Sequence, residues 1–179
     1  MDSTPVVTKD LIQGSWKSGC FERNGANIIT TMSFTELSYE TTSEVHKPGQ
    51  DCVAASKILI VRESGTFSPG DDTGSGNTKI DYSSASLMVT PLSDAGINAV
   101  SLACGAVEGS KVSVDTVNEE TELKNDSCHT VMRVPPFGLV KINGDSLFTG
   151  NSHTIAGQDG STESARPRNI AAALPFNKQ

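Results

Sequence analysis

The chain of 179 residues carries 14 basic and 21 acidic side chains, a formal charge of −7 that repels phosphate backbones and anionic lipid surfaces, so nucleic acid is not an expected partner. Hydrophobic residues make up 36% and aromatics only 5%, enough for one domain with a core of aliphatic side chains. No apolar run approaches the roughly 20 residues needed for a helix to cross a bilayer.

Residues 1–10 read as a flexible polar lead: Met1 is followed by Asp2, Ser3, Thr4 and Pro5, with none of the charged start, apolar middle and small-residue cleavage site of an export signal. From residue 11 to 179 the pattern predicts a single β domain, because period-two alternation recurs and helical spacing does not. Predicted strands cover 11–21, 27–34, 37–45, 57–67, 78–90, 98–104, 110–117, 131–142 and 146–150. In the third of these, Leu37, Tyr39, Thr41, Ser43 and Val45 share one face and Ser38, Glu40, Thr42 and Glu44 the other, with a turn or bulge at Thr35-Glu36 before it. Ser68 to Asn77, rich in glycine and without an apolar anchor, is a surface loop. Pro135-Pro136 breaks its strand or confines it to an edge. Asn143-Gly144, between Ile142 and Leu147, offers two positive-φ residues for a type I′ hairpin turn. No helix is expected beyond a turn or two at Asn169 to Leu174. Short strands at this spacing argue for a meander, sandwich or barrel.

Cys20, Cys52, Cys104 and Cys128 form an even set with no C-x-x-C pair and no histidine cluster, which points to two disulfides and an extracytoplasmic location: periplasm, cell surface or secreted. An export signal is then expected to have preceded Met1, and an N-terminal lipid anchor is compatible with its removal.

Chemistry-bearing patterns are sparse. There is no Gly-x-Ser-x-Gly elbow, and His46, His129 and His153 are scattered. In Cys128-His129 the two side chains would point to opposite faces of a strand, so they do not read as a dyad. The acidic stretches Asp71 to Asp81 and Asp159 to Glu163 lack the alternating oxygen ligands of a calcium loop, and zinc would need closer ligands than this chain offers. The expectation is therefore a protein without catalytic residues, metal or cofactor. What remains is the interior, which Phe34, Tyr39, Phe67, Tyr82 and Met88 line if their parity points inward. A barrel of about eight strands is just wide enough to hold one small ligand, or to be filled by those same side chains.

Gly14-Ser15-Trp16 resembles the G-x-W that opens the first strand of lipocalins and related calycin barrels, and Lys79-Ile80-Asp81-Tyr82 is loosely similar to their T-D-Y turn. The resemblance implies an antiparallel up-and-down barrel in which Trp16 is structural and packs against an arginine near the end of the chain, Arg166 or Arg168. A closer likeness is to bacterial secreted proteins and lipoproteins of uncharacterised function with a G-x-W-x-x-x-C start. They share features like Gly65-Thr66-Phe67, Cys104-Gly105, Leu139 to Ile142 turning into Leu147 to Gly150, an Asp-Gly-Ser loop and an Arg-Pro. The long C-terminal helix of lipocalins has no counterpart here. Of the three connectivities open to four cysteines, Cys20–Cys52 with Cys104–Cys128 closes short loops and matches this resemblance.

The expected protein is thus an all-β, single-domain, lipocalin-like barrel of about eight or nine strands with two disulfides. Its expected role is non-enzymatic binding of a small apolar or amphipathic ligand inside the barrel. The alternative is a structural or adhesive envelope protein with a filled barrel that engages a protein or cell-surface partner through loops or an edge strand.

Overall fold

The computed structural model of the protein describes residues 4–23, 25–104, 114–124, 132–152 and 155–179. Within them the chain forms helix α1 (Lys9–Ile12), strands β1 (Gly14–Ser18), β2 (Phe21–Arg23), β3 (Ala26–Thr35), β4 (Ser38–His46), β5 (Lys57–Asp72) and β6 (Thr78–Pro91), helix α2 (Asp94–Ala103), then β7 (Thr121–Glu122), β8 (Phe137–Asn143), β9 (Ser146–Thr149) and β10 (Phe176–Lys178). Pairing runs β1–β3–β4–β5–β6–β8–β9–β10 and back to β1, antiparallel throughout, so these strands close into an up-and-down barrel. Closure leaves these strands no continuous open edge of the kind that invites aggregation. The seam is at Trp16, opposite Met32 of β3 on one side and Lys178 of β10 on the other. Strands β2 and β7 pair with β3 and β6 outside this ring.

Alternation decides what faces inward. In antiparallel register, residues directly opposite share a face, and the pairs Phe34–Tyr39, Met32–Thr41 and Thr30–Ser43 across β3 and β4 continue into Tyr39–Gly65, Thr41–Glu63 and Ser43–Val61 across β4 and β5. The β5–β6 pair carries a bulge at Ser64/Gly65, after which inward parity on β6 changes from Tyr82 to Leu87 and Val89. Gly65 is required there, because a Cβ would lie 2.0 Å from the Ser83 carbonyl oxygen.

Two apolar clusters occupy opposite ends. One gathers Trp16, Phe34, Tyr39, Phe67, Ile80, Tyr82, Val140, Ile142 and Leu147 under α1, whose Ile12 is fully buried. Burying each such aliphatic or phenyl side chain contributes about 1.5–3 kcal/mol relative to exposure. Thr8 caps α1 by accepting from Leu11 N, and the Trp16 indole donates to the Ile12 carbonyl at 2.8 Å. The residues preceding α1, expected as a flexible lead, contribute to this end: Val7 is 1% exposed and its N–H donates to Thr78 Oγ1. The second cluster joins Ile58, Leu59, Val61, Leu87 and Val89 to Val100 of α2, to its C-cap Cys104 and to Val114 and Leu123.

Several expectations are corrected. Residues 98–103 are helical, within α2, and Cys104 is its C-cap: Gly96, Val100 and Cys104 recur at helical spacing on the buried face, while Leu102, which made the segment look alternating, is exposed. Ser93 caps this helix and Gly96 lets it approach β5, where a Cβ would lie 2.0 Å from the Ile58 carbonyl oxygen. The hairpin turn after β8 is Gly144-Asp145, one residue later than expected; Gly144 has φ 59° and Asp145 no positive φ, the type II′ pattern of a glycine in the first loop position. The Gly-rich loop is shorter than expected, because β5 and β6 extend to Asp72 and from Thr78. Residues 114–117 hold no strand, and β8 starts only at Phe137, after the two prolines. Cys20–Cys52 is formed, with Cα atoms 5.8 Å apart. The other expected disulfide falls on Cys128, which with residues 110–113, His129 and His153 lies outside the described residues.

Candidate functional site

Along β3 and β4 the inward residues change character from one end of the barrel to the other. Near α1 they are aromatic: Phe34 meets Phe67 edge to face at 5.1 Å, and Tyr39 meets Tyr82 likewise at 5.0 Å. One step on they are hydroxyls, Thr41, Thr30 and Ser43, of which Thr30 and Ser43 share a hydrogen bond of 2.8 Å. Beside these short side chains the barrel keeps a cavity of about 150 Å³. Met32, Val134, Leu174 and Phe176 give it apolar wall, and the phenol ring of Tyr82 closes it toward the aromatic end. Its charged lining residues, among those described, are Arg23 at the end of β2 and Arg133.

The segment Met132 to Pro136 crosses this space and is tied down twice. Val134 N donates to Glu63 Oε2 at 2.7 Å, and Tyr82 N donates to the Pro136 carbonyl at 2.8 Å. Glu63 of β5 is buried, 1% exposed, and also accepts the phenol proton of Tyr39. Burial pushes its carboxyl above the usual range, while Tyr39, the Val134 N–H, Arg133 and Ser84 pull it back. The same burial, with the neighbouring carboxylate, raises both Tyr39 and Tyr82. Burial also lowers Arg23 from its ordinary value, a partly desolvated guanidinium.

Of the residues expected to line an interior, Phe34, Tyr39 and Phe67 are inside and packed together in the aromatic cluster, and Tyr82 joins them while also facing the cavity. Met88 is on the outer face, between the inward Leu87 and Val89 and opposite Arg62 and Glu122. Trp16 is buried, but the cation at its ring is the Lys178 ammonium, 5.3 Å from the centroid. Arg166 instead lies 5.4 Å from the Phe137 ring and donates to the Ile80 and Gly138 carbonyls and to Asp81 and Glu163. Arg166 first, then Lys79, hold the Glu163 carboxyl down at about 2. Arg168 is exposed. These contacts pin the C-terminal segment across the outside of β6 and β8.

The sequence reading passed over Glu63, Arg23 and Arg133. For Glu63 a signal existed: Leu59, Val61, Glu63, Gly65 and Phe67 alternate, so an acid stands in an otherwise apolar inward row. Elsewhere, His46 is buried with Nδ1 2.9 Å from Ser56 Oγ, and no grouping of three or more metal-ligating side chains occurs among the described residues.

Fold and site together define a closed antiparallel β-barrel with a small, mixed-polarity internal cavity. The chain matches no protein-family model and no curated protein.

Proposed function

We propose that this is an extracytoplasmic, non-enzymatic binding protein that holds one small amphipathic molecule inside its barrel. The observation that carries the reading is the cavity of about 150 Å³, whose walls combine hydroxyl and guanidinium groups with methionine, leucine and phenylalanine side chains. Ligand sites pair apolar surface with a few placed polar groups in this way. The volume falls short of the roughly 300 Å³ of sites for drug-sized molecules, so the ligand's buried part is small. A cavity near 150 Å³ takes a benzene-sized group.

The lipocalin resemblance around Trp16 supports the same reading, since a small barrel of that kind encloses its ligand. The Cys20–Cys52 disulfide supports an oxidising compartment. A second bond, Cys104–Cys128, belongs to the proposal: Cys104 is fully buried, and no described cysteine is a free thiol.

The test is a methyl NMR titration with a one-ring probe such as benzyl alcohol. Met32 and Met132 line the cavity and shift on binding, while Met88, on the outer face, stays put. Ser43→Leu fills the space and abolishes the shifts without unfolding the protein. A wild-type protein that answers no one-ring probe, with a Ser43→Leu variant of raised stability, would instead mark the cavity as a packing void. That outcome would favour the structural or adhesive reading, to which the tight aromatic packing at the α1 end is equally suited.

A further inference from the structure

The inner face of β4 sets Thr41 between Tyr39 and Ser43, opposite Met32 of β3 and Glu63 of β5. Thr41 is 7% exposed and lines the cavity, yet among the described residues its hydroxyl has no hydrogen-bond partner. The carboxyl that could have taken its proton is engaged elsewhere, since Glu63 turns Oε1 to Tyr39 and Oε2 to the Val134 N–H. One step along the strand, Thr30 and Ser43 share a single hydrogen bond of 2.8 Å, in which either can be the donor. The row of three hydroxyls therefore carries three protons, of which one lies within that bond and the other two meet no acceptor among the described residues.

We infer that the ligand is an uncharged molecule whose carbonyl oxygen is held by the Thr41 hydroxyl, with an apolar part no larger than one aromatic ring lodged against Met32, Leu174 and Phe176. This rests on the reading of the cavity as a binding site and adds the ligand's chemical class. A hydroxyl buried without a partner is destabilising, and a row with protons left over is matched by a group that only accepts. A carbonyl oxygen brings two lone pairs and no further proton. Thr30 and Ser43 satisfy each other in part, which leaves Thr41 as the hydroxyl of the row with no bond and assigns the carbonyl to it. The charges around the cavity argue against an ion. Arg133 acts on the Glu63 carboxyl, Arg23 has a partner within the protein, and no described aspartate or glutamate is among the lining residues. An ion would enter without a free counter-charge, and burying an unpaired charge is far more costly than burying a carbonyl that accepts a hydrogen bond.

The experiment titrates acetophenone and its hydrocarbon isostere α-methylstyrene, in which a methylene group replaces the carbonyl oxygen, into the full chain and into its Thr41→Val variant, read by methyl NMR. Thr41→Val keeps the shape of the side chain and removes the hydroxyl. Acetophenone should bind the variant about three- to tenfold more weakly, the worth of one neutral hydrogen bond, while α-methylstyrene binds no more weakly than before. Comparing both probes across the substitution cancels their difference in hydrophobicity. Should the variant fail to fold, infrared spectroscopy of acetophenone bound to the wild-type protein decides: its carbonyl stretch should lie at the lower frequency of a hydrogen-bonded ketone and not where it lies in a hydrocarbon solvent. Benzoate should bind at least about tenfold more weakly than acetophenone. An unshifted carbonyl band, an equal loss of both probes in Thr41→Val, or benzoate binding as tightly as acetophenone overturns the inference and leaves the cavity reading standing. Failure of every one-ring probe overturns both.

Discussion

Tyr39→Phe tests the interior carboxylate with the least disturbance. The substitution keeps the ring, and with it the 5.0 Å edge contact to Tyr82, but removes the proton that Tyr39 gives to Glu63. A hydrogen bond to an ionised group is worth about 1.5–3 kcal/mol and a neutral one about 0.5–1.5 kcal/mol. The loss therefore depends on the protonation state of Glu63. Burial raises the Glu63 pKa above its unfolded value, so the protonated carboxyl favours the fold, and that contribution is lost as pH rises through the native pKa. Tyr39 acts against this by stabilising the carboxylate. Without it the native pKa rises further and the decline with pH becomes steeper. The variant is thus expected to lose about 1.5–3 kcal/mol, or roughly 3–12 °C in Tm for a chain of this length, at the alkaline end of a pH series, where Glu63 is ionised, and about 0.5–1.5 kcal/mol at the acid end, where it is protonated. Urea denaturation of both proteins across that range measures it. A loss that is equal at both ends, or larger in acid, would refute the assignment of Glu63 as the titrating partner.

Replacing Cys20 and Cys52 by serine opens a loop of sequence separation 32, worth about 4 kcal/mol in the chain-entropy treatment, so Tm should drop by roughly 7–15 °C in a thermal melt. Trp16→Ala should cost about 3–5 kcal/mol by denaturant titration, as for other buried tryptophans, whereas Lys178→Ala should cost under about 1 kcal/mol, since it removes only a cation over the ring. Gly96→Ala places a methyl group on the Ile58 carbonyl, forcing α2 off β5 at about 1–3 kcal/mol, and amide exchange should rise in α2 before the barrel strands.

The hairpin of β3 and β4 was legible almost residue by residue, because Tyr39, Thr41, Ser43 and Val45 alternate with polar neighbours and one register satisfies all of them. The helix at Asp94 to Ala103 was not. Val100, Leu102 and Cys104 satisfy a two-residue period as well as Gly96, Val100 and Cys104 satisfy a four-residue one, and only packing against Ile58 separates the two. The closing strand Phe176–Lys178 is too short to carry a period, so nothing in the sequence marked Lys178 as the cation at Trp16, and the lipocalin resemblance pointed to Arg166 or Arg168 instead. Of the site, the hydroxyl row on β4 could be read directly. The two arginines could not, since their position depends on how the chain bends after Cys20 and how Met132 to Pro136 crosses the barrel.

Why the middle of this barrel stays open follows from which side chains occupy successive inward positions. An interior of eight strands is closed by ordinary large side chains, and at the α1 end four rings close it. Leucine at 30, 41 and 43 would extend that packing and stabilise the fold, since burying hydroxyls without partners is costly. The chain instead pairs Thr30 with Ser43 and sets a carboxylate one register step from them, held by a tyrosine and by the backbone of the crossing segment. Each of these choices trades core stability for polar groups at fixed positions around a small void. These polar groups lie beside the cavity, where the proposed ligand role of the void places them.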